Sequence, residues 1–255
     1  TSNGNQTHDA LCAVCGYTEH DEACDMVGDV CSKCLYELLS SLQLADGAVY
    51  TRTTCATAEE LTYTRTFADN DFNCLYVPFE VPVSGFTDCS IYAINMFQQH
   101  DMDNDGVVDG VSLEVIKAPA GATIMANHPY LIRYDGKASG VQQTYKFDNV
   151  PLAAASTPEY RCSSMNTDYV FRGSYTDDAP SVAEYYTLVE EMDKVVLGTS
   201  TNGVGAQRWY MTMTSRDSQF GSASGTSGAK FISIIIAGED NNVTGIVNTN
   251  DNYKD

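Results

Sequence analysis

Short runs rich in tyrosine, phenylalanine, valine, isoleucine and threonine recur along most of this chain. The runs are ELTYTRTF, CLYVPFEV, IYAINMFQ, VSLEVIK, PYLIRY, YVFRGSYT, YYTLVEEM, RWYMTMT and AKFISIIIAG. Turn-forming residues separate them, at Asn70-Asp71, Ser84-Gly85, Asp135-Gly136, Asn202-Gly203 and the Gly/Ser-rich stretch 221–228. β-branched and aromatic residues favour strands, whereas Asn, Asp, Ser and Gly favour turns. This alternation predicts an all-β fold, specifically an antiparallel β-sandwich.

The N-terminal part of the chain has a different texture and holds five of the nine cysteines. Within GDVCSKCLYELLSSLQLADG, leucines recur at helical spacing, Asp29 can cap a helix start and Gly47 follows its end. The leucines concerned are Leu35, Leu38, Leu39 and Leu42. We therefore predict a cysteine-rich segment with one helix over residues 1–46, a β-sandwich domain over 47–238 and a polar C-terminal tail over 239–255.

Charge and cysteine content restrict the partners and the compartment. The chain carries 34 acidic and 14 basic residues, a net charge of −20, which disfavours binding to nucleic acid or to anionic membranes. It contains no apolar run of about 18 residues, so we expect no membrane insertion. Nine cysteines with few lysines and arginines favour a secreted protein, located outside the cell or on its surface.

Two CxxC pairs form the strongest metal-ligand pattern in the sequence. Cys12 and Cys15 precede Cys31 and Cys34 by the spacing of four-thiolate zinc sites. The same four residues suit disulfides, because an oxidising compartment favours them, and both alternatives stay open. Either role is structural, since four thiolates leave no open position for a reacting water. The later cysteines at 55, 74, 89 and 162 are interpreted as disulfide partners or as small buried hydrophobes.

The segment DMDNDGVVDG places acidic residues in the register of a calcium loop. Asp101, Asp103, Asp105, the Val107 carbonyl and Asp109 match five ligand positions, and Gly106 supplies the bend. The flanking sequences alternate like strands, so the helix–loop–helix form of this site is excluded. A shorter calcium loop between two strands still matches, and a solvated hairpin turn is the alternative. The segment predicts a weak, extracellular type of calcium site.

Catalytic motifs are missing from the sequence. It holds no G-x-S-x-G, H-E-x-x-H or P-loop pattern. His100 and His128 are interpreted as surface or packing residues, and the pairs Glu59-Glu60 and Glu190-Glu191 as acidic surface. We therefore predict a protein that is not an enzyme.

Sixteen tyrosines raise the alternative of a carbohydrate-binding module, because aromatic faces stack on sugars. Tyr63, Tyr185 and Tyr186 could form such a platform, although tyrosines on strands also pack across strands. In RWYMTMT, Trp209 alternates with Met211 and Met213, which predicts that these three face the core. Arg208, Tyr210 and Thr212 then share the opposite face.

Four blocks of sequence resemble an all-β domain that recurs in secreted surface proteins of Bacteroidota. The blocks are LTYTRTFADNDFNCLYVPFEV, DMDNDGVVDGVSLEVIKAPAGATIMANHPYLIRYDG, YRCSSMNTDYVFRGSY and QRWYMTMTSRD. They cover roughly residues 46–238, and CAVCG is similar to the short cysteine-knuckle repeats that precede this domain. The resemblance implies an exported β-sandwich and brings no established activity. The second pair, CSKCL, departs from the knuckle pattern because it lacks the glycine.

The two polar termini carry the remaining predicted sites. Asn5 and Asn242 each begin an N-x-Ser/Thr triplet and are candidate glycosylation sites. The tail has a short apolar centre at Val243, Ile246 and Val247, which could be added as a strand to an exposed sheet edge of another copy. We therefore predict a secreted, non-enzymatic structural or adhesive protein that forms a homo-oligomer or a filament. The alternative is a carbohydrate-binding module with a glycan partner.

Overall fold

The fold is taken from a computed structural model of the chain. The structure describes residues 7–11, 18–23, 26–31, 36–67, 70–100, 110–136, 140–164, 167–177, 180, 182, 185–191, 194–200, 203–215 and 231–238. Within these residues the protein is almost entirely β, and its helical content is a single 3-10 turn at Val83–Gly85. The predicted all-β class is confirmed. No helix in the described part is long and apolar enough to cross a membrane.

The described part of the chain contains twenty strands. In order they are β1 Thr7–Leu11, β2 Thr18–Ala23, β3 Met26–Val27, β4 Val30–Cys31, β5 Glu37–Leu39, β6 Leu42–Ala45, β7 Ala56–Phe67, β8 Asn73–Leu75, β9 Val81–Pro82, β10 Cys89–His100, β11 Gly110–Lys117, β12 Thr123–Ile124, β13 Tyr130–Tyr134, β14 Val141–Leu152, β15 Tyr160–Ser164, β16 Thr167–Ser174, β17 Tyr185–Glu191, β18 Lys194–Ser200, β19 Arg208–Ser215 and β20 Phe231–Ile236. Each of the nine runs identified in the sequence overlaps one or two of these strands.

Two large sheets hold most of the strands. The larger has ten strands in the order β15-β16-β19-β17-β18-β20-β11-β10-β13-β8, and the smaller has the order β14-β7-β5-β4-β3, with β6 also paired to β7. The prediction of a purely antiparallel arrangement is wrong, because β20 pairs parallel to β11, and both β5 and β6 pair parallel to β7. Two small sheets, β1-β2 and β12-β9, complete the set.

Alternation of buried and exposed side chains explains why these segments form strands. On β19, Trp209, Met211 and Met213 are buried, whereas Tyr210 and Thr212 on the other face are partly exposed. This confirms the predicted division of the strand into two faces. Successive strand residues point to opposite sides of a sheet, so a period of two buries one whole face.

One core joins the two large sheets and both halves of the ten-stranded sheet. Phe67 on β7 stacks on Tyr134 on β13, with ring centroids 5.3 Å apart. Within the larger sheet, Phe97 on β10 stacks on Tyr169 on β16 at 3.6 Å, so this sheet curls over itself. Aromatic side chains dominate these contacts because each buries a large apolar area.

The helix predicted near the N-terminus is wrong for the described residues. Residues 37–39 and 42–45 form β5 and β6, which lie parallel to β7. Leu44 is buried, and Leu39 and Leu42 pack against the core. Leucines suit either element, and here the tertiary pairing with β7 decides in favour of strands.

The boundary predicted at residue 46 falls inside the six-stranded sheet. Strands β3 to β6 precede that position, and β7 and β14 follow it, yet all belong to one sheet. Gly47 does not end a helix but takes a positive φ of 78° in the turn after β6. Strands β3 to β6 therefore belong to the same sheet as β7 and β14, whereas β1 and β2 pair only with each other.

Candidate functional site

The predicted calcium ligands lie outside the described residues. The two strands that flank them, β10 and β11, form an antiparallel pair, with His100 opposite Gly110. Residues 101–109 therefore connect two strands, as the sequence pattern predicts. Whether Asp101, Asp103, Asp105, Val107 and Asp109 bind calcium stays a prediction.

Most of the other predicted site residues also lie outside the described part of the chain. These are Cys12, Cys15, Cys34, Asn5, Asn242, Val243, Ile246 and Val247. Cys31 is described as a backbone position in β4, opposite Met26. Zinc ligation, disulfide pairing and glycosylation at these residues stay predictions.

The four later cysteines are thiols. Cys55, Cys74, Cys89 and Cys162 are free, and none of them forms a disulfide with another described cysteine. Cys74 is buried, as expected of a small hydrophobe, and burial raises its pKa to about 11. Burial also raises the pKa of Cys89 to about 11, and its Sγ lies 3.1 Å from the hydroxyl of Tyr145. Both thiols therefore stay protonated at neutral pH.

The tyrosines considered for a sugar platform are buried. Tyr63, Tyr185 and Tyr186 are each at most 1% exposed, so none offers a ring face to solvent. Tyr63 packs edge-on against Phe79 in the core. The packing interpretation of these tyrosines is confirmed, and the platform is excluded at these three positions.

The two histidines among the strands have packing and hydrogen-bonding partners. His100 Nε2 lies 2.8 Å from Ser112 Oγ on the adjacent strand. His128 packs edge-on against Tyr160, and burial lowers the pKa of its imidazole. These contacts agree with the interpretation of both residues as surface or packing side chains.

A buried carboxylate connects the two large sheets. Asp46, in the turn after β6, accepts hydrogen bonds from Arg208 Nη1 at 2.6 Å and Nη2 at 2.8 Å. Arg65, only 1% exposed, forms an ion pair with the same carboxylate at 3.2 Å. Burial alone would raise the pKa of Asp46, but the hydrogen bond from Arg208 and the charges of both arginines outweigh burial and lower it. This cluster therefore keeps Asp46 charged and ties β19 to the turn after β6.

Strand β14 lies at one edge of the six-stranded sheet. Among the described strands it pairs with β7 alone, through eleven of its twelve residues between Val141 and Leu152. Its C-terminal end is covered, because Glu80 N donates to Pro151 O and Ala153 N donates to Pro78 O. The stretch 141–148 has no second partner strand in the described part of the chain. An edge of this kind presents backbone donors and acceptors to another strand.

The direction of the open backbone groups follows from Pro151. Its carbonyl points away from β7, toward Glu80, and its side chain lies on the face opposite to the buried Val150 and Leu152. Along one strand, all residues whose side chains lie on the same face direct their backbone N–H and C=O groups to the same edge. Gln142, Thr144 and Lys146 are exposed and lie on the same face as the half-buried Pro151, so their N–H and C=O groups point to the open edge.

Sequence reasoning missed this edge, and one signal could have found it. VQQTYKFDNVPL places Pro151 inside a strand, and proline within a sheet is typical of an edge strand. The sparse apolar residues of the segment hid the strand itself.

Fold and function are separate questions here. The all-β class is confirmed, and a fold alone assigns no activity. The resemblance to the domain of secreted surface proteins stays a prediction. No protein-family model, curated protein or solved structure matches this chain.

Proposed function

We propose that this protein is a secreted, non-enzymatic structural or adhesive protein of the cell surface, and that its copies associate by strand addition at β14. The observation that carries this proposal is the open edge of β14, whose residues 141–148 lack a second described partner strand. Strand addition uses such an edge, because main-chain hydrogen bonds provide affinity and alternate side chains provide specificity.

The C-terminal segment of a second copy is the proposed added strand. In a strand, Val243 and Val247 would share one face, since they are four residues apart, and Ile246 would lie on the other. The valines would extend the buried face that holds Tyr145 and Phe147. Residues 239–255 include four acidic residues and one lysine, and Lys146 on the edge has the opposite charge to this segment. A head-to-tail contact of this kind builds a filament unless its rotation closes a ring.

Deletion of residues 240–255 tests the association. We expect the full chain to sediment as oligomers whose size grows with protein concentration, and the shortened chain to sediment as a folded monomer. Sedimentation velocity measures both, and circular dichroism confirms that the shortened chain is folded. Full-length protein that stays monomeric at high concentration would overturn the proposal.

The non-enzymatic role is supported by the state of the reactive groups that the structure describes. The Cys74 and Cys89 thiols have pKa values raised to about 11, which removes the thiolate needed for attack. The largely buried carboxylate of Asp46 accepts two hydrogen bonds from Arg208 and pairs with Arg65. A β-sandwich is the arrangement that the contacts between the two large sheets favour, with Phe67 and Tyr134 among the side chains between them.

The alternative of a carbohydrate-binding module loses its predicted platform, because Tyr63, Tyr185 and Tyr186 are buried. Zinc and disulfides remain two proposals for Cys12, Cys15, Cys31 and Cys34. Intact mass under native conditions, compared with denaturing non-reducing conditions, distinguishes a bound metal from disulfides.

Calcium is proposed to bind the loop between β10 and β11. We expect about 1 mM calcium, the range of weak extracellular sites, to raise the melting temperature. Bringing these carboxylates together around a cation removes their mutual repulsion, so Asp103→Asn with Asp105→Asn should abolish the rise. Asp148→Asn, which changes an exposed carboxylate on β14, is the matched control and should retain it. Identical melting curves with calcium and with chelator would leave the solvated turn as the explanation.

A further inference from the structure

A groove of about 370 Å³ opens beside the end of β16, on a part of the molecule that β14 does not form. Its volume falls within the range of small-molecule sites, roughly 300–1,000 Å³. Tyr50, Ser156, Thr157, Gly173, Tyr175 and Tyr210 are among the residues that line it. These residues come from four separate segments, so the groove exists only in the folded protein.

Tyr50 and Tyr175 line the floor of this groove, Tyr76 packs against Tyr175, and all three are fixed at their hydroxyls. Tyr175 packs between Tyr50 and Tyr76, with ring centroids 5.4 and 5.1 Å away. Tyr50 donates to Ala153 O at 2.8 Å, Tyr76 donates to Ser156 O at 3.0 Å, and Tyr175 donates to Asn127 Oδ1 at 2.6 Å. The floor is therefore preorganised, which lowers the entropy lost on binding.

Gly173 allows this floor to form. A Cβ at this position would lie 2.0 Å from the ring of Tyr76, closer than any real contact. The tyrosine ring thus packs directly on bare backbone, and any side chain at 173 would displace it. The sequence uses glycine here for close approach, since no positive φ is recorded at Gly173.

Tyr210 supplies an aromatic wall that remains partly exposed. Its ring is held edge-on against Tyr185, with centroids 5.3 Å apart. Arg172, opposite Tyr210 on β16, donates to Thr212 Oγ1 at 3.2 Å and forms an ion pair with Glu159. An oriented ring with polar groups beside it can stack on an apolar face while the neighbours hydrogen-bond at the rim.

We infer that this groove binds a neutral glycan. Its lining, as far as the described residues form it, carries tyrosine, serine and threonine hydroxyls and no side chain that is charged at neutral pH. A cation would find no carboxylate among the described lining residues, and an anion would meet a protein of net charge −20. A wholly apolar ligand would displace water from the Ser156 and Thr157 hydroxyls without replacing its hydrogen bonds. A sugar ring matches both features, since its hydroxyls can bond to the Ser and Thr groups while its C–H face stacks on Tyr210.

The test is an array of neutral oligosaccharides, including β-glucan, mannan and xylan fragments, together with uronic-acid oligosaccharides. We expect saturable binding to at least one neutral glycan and none to the acidic ones, followed by calorimetric titration of the best neutral probe. Absence of binding to every neutral probe, or preference for the acidic ones, would overturn the inference.

Variants at Tyr210 locate the binding. Tyr210→Ala should weaken binding by at least ~10-fold, the scale of losing an aromatic anchor. Tyr210→Phe keeps the ring and should stay within about threefold, because a single hydrogen bond contributes modestly. Thr214→Ala, an exposed residue on the same face of β19, is the control and should leave affinity unchanged. Melting curves confirm that each variant is folded, and unchanged affinity in Tyr210→Ala would place the ligand elsewhere and refute the inference.

Discussion

Replacing Asp46 by alanine is expected to lower the free energy of unfolding by about 3–5 kcal/mol, the usual cost of removing one partner of a buried ion pair. Arg65 is 1% exposed and would keep its charge in the core without its carboxylate. Arg208 would lose both hydrogen bonds that tie β19 to the turn after β6. Urea unfolding followed by the fluorescence of Trp209, the single tryptophan, measures the loss.

The pH dependence provides an independent check on Asp46. Its pKa is lowered in the folded state, so its contribution to stability is fully present above the unfolded pKa of about 4. The contribution is lost as pH falls below that value through the folded pKa, and Asp46→Ala should lack this part of the acid transition. Asp148→Ala, which removes an exposed carboxylate from β14, is the control and should unfold like the wild type. Equal unfolding midpoints for Asp46→Ala and Asp148→Ala would contradict a stabilising role for the cluster.

Trp209→Ala is expected to lower the free energy of unfolding by about 3–5 kcal/mol, because removal of a fully buried aromatic side chain leaves a cavity. Trp209 is 0% exposed, packs edge-on against Phe171 at 5.3 Å and donates from Nε1 to Tyr130 O at 2.7 Å. That hydrogen bond joins β19 to β13 across the curl of the ten-stranded sheet. The variant therefore weakens the contact between both halves of that sheet.

Unfolding of Trp209→Ala is followed by circular dichroism, because this variant lacks the only tryptophan and therefore its fluorescence signal. Thr214→Ala on the exposed face of β19 changes the same strand without opening a cavity, and we expect it to stay within about 0.5 kcal/mol of the wild type. A Trp209→Ala protein as stable as Thr214→Ala would mean that the core described around this side chain is wrong.

Strand faces and turns could be predicted from the sequence because they depend on the residue types at a few neighbouring positions. Alternation in RWYMTMT predicted the buried face of β19, and Trp209, Met211 and Met213 are buried there. The predicted turn at Asp135-Gly136 falls directly after β13. In both cases, residue type and a period of two are enough to determine the result.

The N-terminal helix failed because the deciding interaction is distant in sequence. Leu38 and Leu39 lie opposite Thr57 and Ala58 on β7, and Leu44 lies opposite Tyr63. Leucine spacing cannot reveal a parallel partner of this kind, and tertiary pairing overrides helix propensity.

The open edge and the groove could not be read from the sequence for a similar reason. Whether β14 lies at an edge depends on the order of strands in the sheet, which only Pro151 hinted at. The groove joins Tyr50, Ser156, Tyr175 and Tyr210, which are far apart in the chain. The sequence pattern instead pointed to Tyr63, Tyr185 and Tyr186, which the fold buries.

Sedimentation velocity of Thr144→Pro and Thr144→Ala tests the proposed assembly most directly. The N–H of Thr144 points to the open edge, so proline should keep the pairing with β7 yet prevent a further strand from docking. Thr144→Ala is the matched control, because it removes the same exposed hydroxyl as Thr144→Pro but keeps the backbone N–H. With both variants folded by circular dichroism, we predict that Thr144→Ala associates like the wild type and that Thr144→Pro is monomeric. Equal association of the two variants would contradict strand addition at β14.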